Sequence, residues 1–169
     1  ARGRSAHGSM PHLGDNAIYK MARIALEVET MGAGFKYDPF LDKGTVAVSE
    51  FRSVSPSLCA VADGATIHLD RRLTVGEDEA SSVAEVRALP SVVAAGADVR
   101  VLDYETTSYT GQRYGMKKYF PTWLLAEDHP LLACAKAAYE AQFGRTPEFG
   151  RWKFSTNGVT AMGKHGVPC

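Results

Sequence analysis

Apolar residues recur at helical spacing over Ala17, Ile18, Met21, Ala22, Ile24, Ala25 and Val28. That single stripe predicts an amphipathic helix, ended by the glycines of "MGAG". Asp15 or Asn16 stands where its cap belongs, because a short side-chain oxygen there can accept from the free amides of the first turn. The period then changes to two. "GTVAVSEF" gives a short strand from about Thr45 to Phe51, and "SVSPS" turns the chain. Within the run from Cys59 to Leu73, Ala65, Ile67 and Leu69 alternate with Thr66, His68 and Asp70, the mark of an antiparallel strand with one face buried. "GEDEASSVAEVRALP" reads as a second helix, acidic in its first turn and with Val83, Val86 and Leu89 on its inner side. Residues 97–108 read as a further strand. If residues 1–6 finish an earlier strand, the order is strand, helix, strand, strand, helix, strand. This predicts an α+β fold, ferredoxin-like (βαββαβ), an antiparallel sheet with two helices on one face.

The texture changes near Gly111. "GQRYGMKKYFPTW" is aromatic and basic with a proline, and reads as a linker to another body. Asp128 is placed to cap a helix with Pro130 near its first turn, where a missing N–H is harmless. Leu131, Cys134, Ala135, Ala138 and Tyr139 form its inner stripe, and Gly144 ends it. "WKFSTNGVTAMGKHGVPC" follows, with a Ser-Thr-Asn-Gly turn between apolar segments. One helix and part of a strand do not bury a core of their own. The expected division is therefore residues 1–110 as one domain and residues 111–169 as part of a second, α/β domain, and the chain reads as a fragment.

Composition narrows the function classes. The 45% hydrophobic and 22% charged residues suit a folded globular protein. Nineteen basic residues balance nineteen acidic ones, so no polyanion or acidic membrane is invited. No apolar run has the length of a membrane helix or a signal peptide. The expectations are a cytoplasmic protein with no nucleic-acid and no membrane partner. An RNA-binding domain of the same strand order is also disfavoured, because its strands would need an exposed aromatic pair for stacking bases. Cys59, Cys134 and Cys169 match no zinc or disulfide spacing and read as reduced thiols.

Few residues invite chemistry. His7, in "SAHGS", lies among small residues where an imidazole is either an idle surface group or a positionable donor. His12 reads as a turn residue and Asn16 as a helix cap. Arg72, at a strand end, shares a face with His68 and Asp70 while Arg71 takes the other. An arginine so placed suits bidentate capture of a carboxylate, or a surface ion pair. Ser155, Thr156, Asn157 and Gly158 form a turn able to hold an anion. A Cys/His hydrolase is disfavoured, since Cys134 lies on an apolar stripe and Cys59 has no activating pattern. The scattered histidines make no metal motif, so no metal is expected on this chain.

Taken together, "GRSAHGSMPHLGDNAIYKM" and "HLDRRLTVGED" resemble the opening and the Asp-x-Arg strand end of the dimerisation (lid) domain of the M-20 metallopeptidases and amidohydrolases. "KGTVAVSE", "SPSLCAVAD", "YFPTW", "FSTNGV" and "GKHGVP" are most similar to the YgeY-like, selenium-metabolism-linked hydrolases of that family. The resemblance implies a ferredoxin-like lid, followed by the start of the returning catalytic segment. It implies a homodimer formed through the lid, and zinc, cobalt or manganese bound by other parts of the intact enzyme. It further implies that His7 reaches the partner's active site as an oxyanion donor, that Arg72 holds the carboxylate of a small amide or peptide substrate, and that Ser155, Thr156, Asn157 and Gly158 line the pocket. This piece alone is expected to be inactive. Where many members carry Asn-x-Val/Ile-Pro, this chain has Cys59, Ala60, Val61 and Ala62, with Ser57 nearby. The alternative is a ferredoxin-like binding or dimerisation module with no catalytic activity.

Overall fold

The computed structural model describes residues 1–169. Helix α1, Ala17–Met31, begins where the cap was expected, with Asn16 Oδ1 accepting from the Ile18 amide at 2.9 Å. Its stripe is buried at Ala17, Met21, Ile24 and Val28. These residues pack on a hairpin of β3, Thr45–Val54, and β4, Gly64–Arg72. Two short strands, β1 (Tyr37–Asp38) and β2 (Asp42–Lys43), pair just before it.

The register of β3 and β4 assigns their faces. Val46 pairs with Arg71, Val48 with Leu69 and Phe51 with Ile67, whereas Thr45 pairs with Arg72, Ala47 with Asp70 and Glu50 with His68. The first set faces α1 and the second faces away, because directly opposed residues share a side. An irregularity between Val48 and Glu50 switches the face of β3 midway. Residues 1–3 lie antiparallel beside the start of β4, with Ala1 and Ala65 exchanging backbone hydrogen bonds of 2.8 and 3.0 Å. That is the expected position for the end of a first strand.

The second helix differs from expectation. It is two helices, α2 (Glu79–Arg87) and α3 (Pro90–Ala95), because Pro90 starts a new first turn where its absent N–H costs nothing. Val86 and Val92 join the α1 core on the same side of the hairpin, so the helices share one face of an antiparallel sheet. Asp78 caps α2 by accepting from Ser81, which answers with its own hydroxyl. Those bonds hold the Asp78 carboxyl below the ordinary carboxylate range. A depressed folded-state value means that the cap stabilises the fold at neutral pH and is lost as pH falls through that value. Acid titration of helicity is expected to show this loss in the wild type and a smaller one in Asp78→Asn, which keeps a cap without the charge.

The closing strand also differs. Residues 97–102 pair with no strand, while β5, Asp103–Thr107, pairs with β6, Arg113–Lys117, inside the stretch read as a linker. This hairpin is separate from the β3–β4 sheet. Helix α4, Pro130–Phe143, is capped by His129 rather than Asp128, its Nδ1 accepting from the Leu131 amide, and Gly144 ends it in the left-handed region at φ 66°. Its expected inner stripe is uncovered: Leu131, Cys134, Ala135 and Ala138 are exposed. Val159–Lys164 forms a π-type helical turn. No helix is long and apolar enough to cross a membrane.

Candidate functional site

His7 stands on an extended segment clipped to the chain before β4. Val61 donates to the Ala6 carbonyl at 2.9 Å and Gly8 to that of Cys59 at 2.6 Å, which sets His7 opposite Ala60. The approach requires glycine, since a Cβ at position 8 would lie 2.6 Å from the Cys59 oxygen. The imidazole is exposed. The Ser9 amide donates to Nδ1 at 3.2 Å, and the Ser9 hydroxyl lies 2.7 Å from the same atom. An amide can only donate, so Nδ1 carries the lone pair and Nε2 carries the proton in the neutral ring. Nε2 makes no hydrogen bond within the chain, which leaves an N–H free to donate outward. Ser9 thus sets the tautomer, a role the sequence reading did not assign. Cys59 is exposed and unpaired, and the Ser57 hydroxyl is occupied in accepting from its amide at 3.2 Å.

Arg72 lies at the far end of β4. Its side chain is half-exposed, with Nε 2.7 Å and Nη2 2.8 Å from the two oxygens of Asp70. This fork uses one edge of the guanidinium and leaves the Nη1 side for an incoming anion. His68 shares that face, with Nδ1 2.6 Å from the Ser49 hydroxyl. Arg71 behaves oppositely. Its side chain is 10% exposed, stacks 3.5 Å over the Phe35 ring and binds Glu77 at 2.6 Å and Glu85 at 3.2 Å. Glu77 is buried and also accepts from the Thr74 amide at 2.8 Å. The strand end that presents Arg72 is therefore tied to α2 by a buried ion pair. In the sequence, the Glu77 of "VGED" was its only signal.

The 155–158 turn opens the π-type turn. Gly158 donates to the Thr156 hydroxyl at 3.2 Å, and Thr160 and Ala161 donate to the Asn157 carbonyl at 3.0 and 3.2 Å. Ser155 Oγ and the Asn157 side-chain amide make no hydrogen bond, so these groups, rather than the amides of 158–161, are the ones available to a ligand. Gly158 is fixed by packing: a Cβ there would lie 2.8 Å from Trp123 Cε2.

The structure does not bring His7 and Arg72 together. His7 lies opposite Ala60, four residues before β4 begins at Gly64, and Arg72 ends the nine residues of that strand, which alone span roughly 30 Å at about 3.3 Å per residue. The 155–158 turn is linked toward the Arg72 end through the segment that enters it. Arg151, four residues before it, reaches the Phe40 carbonyl and the Asp42 carboxylate, and Asp42 in turn is bonded to Thr74. No three His, Cys, Asp or Glu side chains converge as metal ligands. The donors on this chain do not fit a metal centre.

Comparison with known proteins identifies the family. Residues 1–98 match the family described as the M20 peptidase dimerisation domain. The proteins named YgeY of Escherichia coli K12 and of E. coli O157:H7 are each 48% identical over 167 residues, 99% of this chain and 41% of theirs. The chain therefore spans about two-fifths of the length of these curated relatives. Among solved structures, the fold is similar to that of the aminopeptidase PepT of Bacillus cereus (TM-score 0.64, 21% identity, 99% of this chain and 39% of that one). It is also similar to that of a tripeptidase of Staphylococcus aureus (TM-score 0.62, 16% identity, 99% and 39%). The expected family and its lid fold are both found, and by its matched domain this chain belongs to the M20 peptidase family.

Proposed function

We propose that the whole protein is a metal-dependent hydrolase which cleaves an amide or peptide-type C–N bond in a small, carboxylate-bearing substrate. Residues 1–169 supply the dimer interface, a histidine acting across it and an arginine that holds the substrate. The separation of His7 from Arg72 carries this reading. A small substrate cannot touch both ends of a strand spanning roughly 30 Å in one subunit. A two-fold partner removes the difficulty. β3 pairs only with β4, so its other edge presents unpaired amides and carbonyls. Laying the same edge of a second copy against it, antiparallel, sets the Thr45 end of one beside the Val54 end of the other. Arg72 pairs with Thr45 and Gly64 pairs with Val54, so His7 of one copy is carried toward Arg72 of its partner. Leu26, Val48 and Phe51 are exposed along α1 and β3 and supply apolar surface for that contact.

In this site His7 donates its Nε2 proton to the carbonyl oxygen as negative charge develops there. Arg72 takes the carboxylate on its Nη1 side, and Ser155, Thr156, Asn157 and Gly158 line the pocket beside it. Parts of the protein outside residues 1–169 would hold the zinc, cobalt or manganese ions, and such ions would supply an activated water and a polarised carbonyl. The setting is cytoplasmic, with no nucleic-acid or membrane partner. The metal-loaded whole protein is expected to hydrolyse N-acyl amino acids or dipeptides in a substrate panel, and residues 1–169 alone are expected to be inactive. In Arg72→Met, KM should rise for the carboxylate substrate and stay unchanged for its amidated analogue. Absence of amide hydrolysis across the panel, or equal losses on both substrates in Arg72→Met, contradicts the reading.

A further inference from the structure

We propose that Asp42 is a positioning residue that fixes the 155–158 turn against the Arg72 strand end. Its backbone is in the left-handed region at φ 64°, the only non-glycine residue so placed. Aspartate tolerates that conformation better than most residues, and three elements hold it here. The Asp42 carbonyl accepts from the Thr74 hydroxyl at 2.6 Å, and Thr74 is 1% exposed, two residues beyond Arg72. Across the β1–β2 hairpin Asp42 pairs with Asp38, whose carboxylate accepts from the Phe40 and Leu41 amides at 2.9 and 2.7 Å and so holds the corner rigid. On the other side the Asp42 carboxylate binds Arg151, with Lys153 at 3.8 Å, while Arg151 also donates to the Phe40 carbonyl.

The backbone of Asp42 is thus bonded to the strand end that carries Arg72, and its side chain to the segment entering the turn. Arg72 and the turn are far apart in sequence, and this corner ties them. The inference rests on the proposed carboxylate site only for its catalytic consequence; the mechanical coupling stands without it.

Asp42→Asn keeps a side chain that tolerates the left-handed backbone and removes the charge, and Arg151→Met removes the other partner. Two measurements on the whole protein decide the matter. Hydrogen exchange of the amides of 158–161 is expected to quicken roughly tenfold in both variants with the melting temperature unchanged, while Arg151→Lys restores protection. KM for a carboxylate substrate is expected to rise about tenfold with kcat within about twofold, since loss of orientation weakens binding first. Unchanged exchange in both variants overturns the proposal, as does quickening that Arg151→Lys fails to restore. Faster exchange in a protein that hydrolyses no amide substrate supports the coupling and removes the hydrolase reading instead.

Discussion

Replacing His7 by alanine in the whole protein is expected to lower kcat by about a hundredfold or more, the cost typical of one lost oxyanion donor. Metal content and the dimer are expected to be unchanged. The direction follows from the tautomer: with Nδ1 accepting from the Ser9 amide, the free Nε2–H is a donor and a poor general base, so its loss removes charge stabilisation rather than proton abstraction. A donor effective only as charge develops lowers kcat and kcat/KM together. A rise in KM with kcat intact would assign His7 to ground-state binding. His7→Gln should recover part of the loss, because an amide N–H on a side chain of similar length can also donate.

The largest expected effect on stability lies at Glu77. Removing one member of a buried ion pair typically costs about 3–5 kcal/mol, and the low end of that range is expected here because Arg71 keeps Glu85 at 3.2 Å. Glu77 binds Arg71 and also caps the Thr74 amide, so Glu77→Ala breaks two interactions. The Nε of Arg71 is already buried without an acceptor, and the half-buried Glu85, 3.2 Å away, is the carboxylate that remains to the guanidinium. Urea denaturation is expected to show the loss as a lowered midpoint. The double variant Arg71→Leu, Glu77→Leu should regain much of it, since an apolar pair of similar volume replaces the charges without burying an unpaired one. A single variant as stable as wild type would mean that solvent reaches this cluster.

The alternation of Ala65, Ile67 and Leu69 was enough to put Arg71 and Arg72 on opposite sides of the strand, and the two residues behave accordingly. The stripe of α1 and its Asn16 cap were legible for the same reason: a local period and a local hydrogen bond are written in adjacent residues. What could not be read depends on contacts between distant segments. The β5–β6 pairing joins Asp103–Thr107 to a stretch whose aromatic and basic texture suggested a linker. The Asp42–Arg151 contact spans more than a hundred positions. The exposed stripe of α4 shows the converse error, in which a helical period was taken for a buried face although nothing in the chain covers it. For the candidate site, the residue types were visible from the start, but the distance from His7 to Arg72 needed the length of β4.

The central claim, that His7 completes the active site of a partner subunit, is tested most directly by mixing two inactive whole-protein variants, His7→Ala and one with a disabled metal centre. In a mixed dimer the His7→Ala subunit keeps its metal centre and receives an intact histidine from its neighbour. Mixing is predicted to restore a substantial part of the wild-type activity, rising with the fraction of mixed dimers. No recovery in dimers shown to have exchanged subunits would contradict action across the interface.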